Sequence, residues 1–219
     1  METGADPRRL NPSSLKTSAG HSADLTQTKI SLQAPTLAVC RRTRSGSRKE
    51  NKEINMKITE NYIGKSGVEY IFEYEDANSF DHLKYEECRQ TYGVCFCGDK
   101  MVIQLNGKTG LWGLVGGTIE PGEKLEETLR REVQEESNME VLSCLPIGFQ
   151  KAIDTRDGDY AFQLRYACKV RPLGPFVSDP AGSVIEIKLV EPKDLKQYFD
   201  WGKIGDRIIE RALELKDLL

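Results

Sequence analysis

The chain has 219 residues, 38% of them hydrophobic and 30% charged, with 34 acids against 31 bases. That length suits one domain with or without a tail, no apolar run is long enough to span a bilayer, and a formal charge of −3 argues against bulk nucleic-acid binding. Six cysteines without a CxxC pair, and two histidines, are too few for a disulfide scaffold or a His-rich metal site.

Residues 1–55 carry ten bases, five acids and no aromatic, while all seven Phe, two Trp and eight Tyr follow them. Such a segment buries too little apolar area to offset its ordering entropy, so residues 1–55 are expected to be a disordered basic extension. It reads as a plain extension, as an Arg- and Ser-rich targeting peptide interrupted by Glu2, Asp6 and Asp24, or as sequence upstream of a true start at Met56. A cytoplasmic location is expected, with organellar targeting by the extension left open. The folded domain is expected over residues 56–219, with the extension dispensable for chemistry.

Val68 to Tyr74 is rich in β-branched and aromatic residues and predicts a strand, paired as a hairpin with Lys57 to Ile63 across Gly64-Lys65-Ser66-Gly67. Tyr92 to Cys97 and Lys100 to Leu105 predict a second hairpin around Gly98-Asp99, and Asn106 to Gly110 a loop. Leu111 to Val115 then runs into Gly116-Gly117. Residues 123 to 137 predict a helix, because Leu125, Leu129 and Val133 form one stripe at i, i+4, i+8. Val141 to Ile153 and Tyr160 to Val170 predict long strands joined by the polar loop Asp154 to Asp159, and Ser183 to Val190 a further strand. Ile204 to Leu218 predicts a closing helix with Ile204, Ile208, Ala212 and Leu215 on one face. Strands on either side of a mid-chain helix, then a closing helix, imply a mixed sheet covered on both faces.

The mid-chain helix is where the sequence becomes specific. Eight glutamates lie between Glu120 and Glu140, against Lys124, Arg130 and Arg131. At about 100° per residue, Glu132, Glu135 and Glu136 share one arc of about 100° beside the apolar stripe, at the edge of the buried face. Pairs Glu126–Arg130 and Glu127–Arg131 suit a solvated helix. Glu132 and Glu136 do not, since like charges at i, i+4 repel, and repel more as the dielectric falls. A divalent cation removes that repulsion, and Mg²⁺ takes carboxylate oxygens while sharing its coordination with substrate phosphates.

The stretch Gly117-x5-Glu123-x7-Arg131-Glu132-Val133-x-Glu135-Glu136-x-Asn138-Met139 resembles the Nudix box, G-x5-E-x7-R-E-u-x-E-E-x-G-u with u apolar, at every position but the last glycine. Chance agreement at the six invariant positions is on the order of one in ten million at average residue usage. The resemblance covers about residues 90–200 and implies a Nudix α/β/α sandwich with a mixed sheet. It implies hydrolysis of a nucleoside diphosphate linked to another group, with Mg²⁺ as cofactor and Mn²⁺ as an alternative. By resemblance, Glu132, Glu135, Glu136 and the backbone carbonyl of Gly116 hold the metal, while Gly117, Glu123 and Arg131 brace the box. The proton from the attacking water falls to Glu135, to Glu132, or to a glutamate outside the box, Glu186 on the late strand. Asn138, in place of the glycine, is the next-best residue for a left-handed helix end. Lys124, where many members carry Ser or Thr, leaves the helix start less well capped.

The substrate implied is a small nucleotide such as a nucleoside triphosphate, with no membrane or bulk nucleic-acid partner and a homodimer left open. A non-catalytic nucleotide-sensing module on the same fold, or a nucleotide-sugar or decapping type of hydrolase, is the alternative. The intact box glutamates argue against the first, and the net charge of −8 after residue 55 argues against decapping. Trp112 is expected in the core. Cys95 and Cys97 are expected as buried thiols rather than zinc ligands.

Overall fold

The computed structural model describes residues 56–64 and 67–219. The expectations for residues 1–55 lie outside the described residues.

Among the described residues nine strands form one mixed sheet: β1 (Lys57–Ile63), β2 (Glu69–Asp76), β3 (Cys88–Cys97), β4 (Lys100–Asn106), β5 (Leu111–Gly113), β6 (Val115–Thr118), β7 (Met139–Asp154), β8 (Tyr160–Pro172) and β9 (Val184–Val190). Their order is β1-β2-β7-β8-β3-β4-β5, with β6 added to β3 and β9 to β4. The β3–β8 pair is parallel and the others are antiparallel. Both predicted hairpins form, and β7 and β8 are the long strands expected. Pro146 lies inside β7, and the register shifts between Pro146 and Gly148, because proline has no N–H to give the ladder.

Among the described residues two α-helices cover the sheet, α1 (Leu125–Ser137) and α2 (Gly202–Leu215). The alternation of side chains along each strand divides the core in two. Leu129 and Val133 of α1 pack with Cys95, Val102, Val115, Leu164 and Cys168 in one cluster. Ile204, Ile208 and Ala212 of α2 pack with Val94, Phe96, Met101, Ile103 and Ala167 in the other. Consecutive residues of β3, Val94 and Cys95, thus serve opposite helices. No helix among the described residues is long and apolar enough to cross a membrane.

The α2 layer is pinned by a buried ion pair. Arg207 Nη2 lies 2.6 Å from Asp76 Oδ2, both side chains at most a tenth exposed, and Arg207 also reaches Glu210 and Glu214. Replacing Arg207 by Ala strands the Asp76 carboxylate inside the protein. The expected loss is about 3 kcal/mol of unfolding free energy, read from denaturant titration. A loss under about 1 kcal/mol would show that water reaches Asp76.

Candidate metal and phosphate site

The site is built on α1 and the strand before it. α1 begins at Leu125, two residues later than predicted, and Glu127 reaches back to the Lys124 N–H at 3.2 Å to close its first turn. This replaces the side-chain cap missing at Lys124, and it draws Glu127 away from Arg131, so the expected Glu127–Arg131 pair does not form. Glu126 and Arg130 do pair, at 2.7 Å. Asn138 ends the helix in the left-handed conformation, φ 52° and ψ 40°. Its side-chain amide donates to the Pro175 carbonyl at 2.9 Å, a tether to the loop after β8 that glycine could not supply.

Arg131 organises the box. Its guanidinium contacts Glu123 at 2.7 Å, Glu132 at 2.9 Å, Glu135 at 3.2 Å and the Thr118 carbonyl at 3.1 Å. The paired guanidinium holds the Glu123 carboxyl down at about 2, helped by the Thr128 hydroxyl and the Glu120 N–H. Burial pushes the Glu132 carboxyl up, against the pull of Arg131. Glu136 is 8% exposed and accepts the Gly116 N–H at 2.8 Å. Burial pushes its carboxyl up to about 8, the Gly116 N–H opposes this, and the charges of Glu132, Asp179 and Glu135 add to it.

Gly116 and Gly117 let β6 pass between β3 and α1. A Cβ on Gly117 would stand 2.6 Å from the Glu132 carboxylate, so the absence of a side chain is what brings strand and carboxylate together. Asp179 sits on the loop before β9, 5% exposed, and accepts from the Ala181, Ser183 and Val184 N–H groups and the Ser183 hydroxyl. The sequence reading missed it. The run Asp179-Pro180-Ala181-Gly182 carries turn chemistry, but nothing local shows that this turn faces Glu132 and Glu136.

Among the described residues no three acidic, His or Cys side chains converge as a ready-made metal cage. Arg131 draws Glu132 and Glu135 aside and the Gly116 amide holds Glu136, so each carboxylate has a substitute partner. The donor set nevertheless suits a hard divalent cation. It is all oxygen, it carries more negative charge than Arg131 balances, and its most buried member has no cationic partner.

Glu186 is not brought to this group. It is exposed on β9 and pairs with Lys188 at 3.4 Å. Ile187 between them packs on the α1-side cluster, whereas Lys188 lies over the rings of Trp112 and Tyr198 on the α2 side. Glu186 therefore shares the sheet face opposite the box helix. Glu186→Gln is expected to leave kcat within twofold of the parent; a fall of tenfold or more would restore it as a catalytic group.

Trp112 packs against the α2-side core cluster, as expected, but only in part. It is half-buried and lines a cavity of about 590 Å³ on the α2 side. Cys95 is buried and Cys97 half-buried, as free thiols. Tyr92, on the cavity floor, is opposite Gly116 in the β3–β6 register, and the charges of Glu136 and Glu132 reach its hydroxyl. Cavity and box thus meet at one strand pair.

Comparison with known proteins matches residues 89–212 to the NUDIX domain family. Nucleoside triphosphatase NudI of Salmonella heidelberg (strain SL476) is 50% identical over 42 residues, which are 19% of this chain and 30% of that protein. NudI of Escherichia coli O9:H4 (strain HS) is 54% identical over 52 residues, 24% of this chain and 37% of that protein. The match therefore spans about a third of the length of these curated relatives. Among solved structures, the pyrophosphohydrolase BsRppH of Bacillus subtilis superposes with TM-score 0.55 at 15% identity, over 71% of this chain and 96% of that one. A NUDIX hydrolase from Nitrosomonas europaea gives 0.50 at 18% identity, over 60% and 95% of the two chains. These two likenesses bear on the fold.

Proposed function

Because this chain belongs to the NUDIX domain family, which matches it over residues 89–212, we propose that it hydrolyses a diphosphate bond in a small nucleotide, a nucleoside triphosphate being the leading substrate. The observation that carries this reading is the placement of Glu136. It is a buried carboxylate seated on the Gly116 amide, one turn from Glu132 and beside Glu135. The partial likeness to the NudI nucleoside triphosphatases supports the choice of substrate.

Glu132, Glu135, Glu136 and the Gly116 carbonyl would hold Mg²⁺, with Mn²⁺ as the alternative. When bound, the cation neutralises the diphosphate and lowers the pKa of coordinated water. The chain's own part is to fix the acceptors and to take up a proton. Glu136, held by the Gly116 N–H, ties α1 to β6. Arg131 keeps Glu132 and Glu135 on one side of the helix and is itself fixed by Glu123. Glu135 is the more open of these two carboxylates, its side chain 35% exposed against 12% for Glu132. A water approaching from solvent meets Glu135 first, so Glu135 is assigned as the group that removes its proton. Glu132 is the other box candidate for this role. Residues 56–219 suffice for this chemistry in the same reading.

The test is a release assay over a nucleotide panel with Mg²⁺, scoring phosphate, diphosphate and monophosphate. Diphosphate and monophosphate from a triphosphate, abolished by chelator and restored by Mg²⁺, is the expected result. Release unaffected by chelator, or no release from any nucleotide of the panel, would overturn the reading.

A further inference from the structure

The cavity on the α2 face contains a buried charge that the diphosphate chemistry does not use. Arg165 is 5% exposed and lies on the cavity wall. Its partners are all neutral: Gln163 Oε1 at 2.8 Å, Gln150 Oε1 at 3.5 Å and the Leu164 carbonyl at 3.4 Å. Among the described residues no carboxylate pairs with it, and its Nε–H has no acceptor. Its guanidinium stacks on the Tyr92 ring, 4.7 Å from the centroid. A buried cation without an anion costs several kcal/mol, and such a cost is most often retained at a site of function.

We propose that this cavity seats the base of the nucleotide, and that Arg165 selects bases bearing a carbonyl oxygen over adenine. The inference rests on the reading above only in placing the phosphates at the box. The volume, about 590 Å³, is in the range of small-ligand sites. Phe72, Tyr92, Trp112 and Trp201 supply planar apolar walls, and any base can stack on such surfaces. Selection therefore falls to the polar groups. A guanidinium only donates, so the edge facing it must accept. Guanine offers O6 and N7 there, and uracil and thymine offer O4. Adenine sets an amino donor beside its N7. The strand register brings the two together, since Tyr92, which lines the cavity, is paired with Gly116, whose N–H holds Glu136.

Both tryptophans of the chain, Trp112 and Trp201, lie on this cavity, so tryptophan fluorescence excited at the red edge responds to its filling. The experiment titrates the full chain with guanosine, uridine and adenosine, without phosphate groups and without added metal. Saturable quenching is expected at about tenfold lower concentration for guanosine and uridine than for adenosine. Arg165→Gln should bring that ratio to about one. If Arg165→Gln fails to fold, Trp112→Leu, at the half-exposed wall, should weaken all three nucleosides alike. Equal binding of the three by the parent chain overturns the proposal, as does an unchanged ratio in Arg165→Gln or undiminished binding in Trp112→Leu. Quenching by tripolyphosphate without any by nucleosides also overturns it and makes Arg165 a phosphate site. Nucleoside selection without hydrolysis of any nucleotide would sink the proposed activity and leave the base site standing. Hydrolysis with no base preference would do the reverse.

Discussion

Replacing Glu136 by Gln is expected to lower kcat by about a hundredfold or more while leaving the unfolding midpoint unchanged or slightly raised. The two halves of this result have one cause. Burial and the charges of Glu132, Asp179 and Glu135 already disfavour a charged carboxylate at this position. A neutral amide of the same shape still accepts the Gly116 N–H and removes the repulsion, so the fold loses nothing. What it lacks is the negative charge that, in the proposed function, would hold a divalent cation. Steady-state kinetics at saturating Mg²⁺ and a thermal melt on the same preparation check both halves. A variant within threefold of the parent kcat would remove Glu136 from the machinery. A midpoint lowered by many degrees would show that Glu136 is chiefly a structural residue.

The second large effect is expected at the glycine pair, and it separates fold from chemistry. A Cβ on Gly116 would lie 2.1 Å from the Thr91 carbonyl oxygen and 2.7 Å from the Tyr92 Cα, both backbone atoms of β3, and its φ is +145°. Neither atom can move without opening the β3–β6 ladder. Overpacking together with backbone strain makes Gly116→Ala destabilising by about 3–5 kcal/mol. On Gly117 the nearest atoms to a Cβ are those of the Glu132 carboxylate, at 2.6 Å, the far end of a side chain that can turn aside. Gly117→Ala should therefore keep most of its stability, within about 1 kcal/mol, yet lose activity through a displaced Glu132. Denaturant unfolding and kcat on the two variants give the comparison. Equal stabilities for the two would show that β3 and β6 give way more easily than their close approach implies.

The Arg131 cluster shows why Glu123, just before α1, and Glu132, Glu135 and Glu136 on it are held differently. Glu123 takes the guanidinium fork most closely and is held far below the ordinary carboxylate range, so it is fully committed to bracing. Glu132 and Glu135 share the remaining guanidinium nitrogen, Nη1, at 2.9 and 3.2 Å. Glu136 has no cationic partner at all among these contacts. A cation at this site would have to compete with Arg131 for Glu132 and Glu135, whereas Glu136 is already held by the Gly116 amide.

Much of this was legible in the residues themselves. The stripe Leu125, Leu129, Val133 makes α1 by helical period alone, and the same period fixes which glutamates share an arc, because both are properties of one local element. The strand and hairpin ranges follow from β-branched runs and turn residues for the same reason. Asn138 could be read as a left-handed helix end from its chemistry alone, and φ is 52° there. Contacts between distant segments were not legible. Glu186 looked like a box partner because it is an acid near the expected phosphate site, but the alternation of β9 puts it with Lys188 on the opposite face of the sheet. Asp179 faces Glu132 and Glu136 only because the loop before β9 folds back on the box, tied there in part by Asn138 and Pro175. Arg165 is one residue in an otherwise ordinary strand until β3, β7 and β8 bring Tyr92, Gln150 and Gln163 around it. Helical spacing and turn chemistry act over a few residues and are written in the sequence; which face a strand turns to which helix, and what a buried charge is left beside, is decided only when the sheet closes.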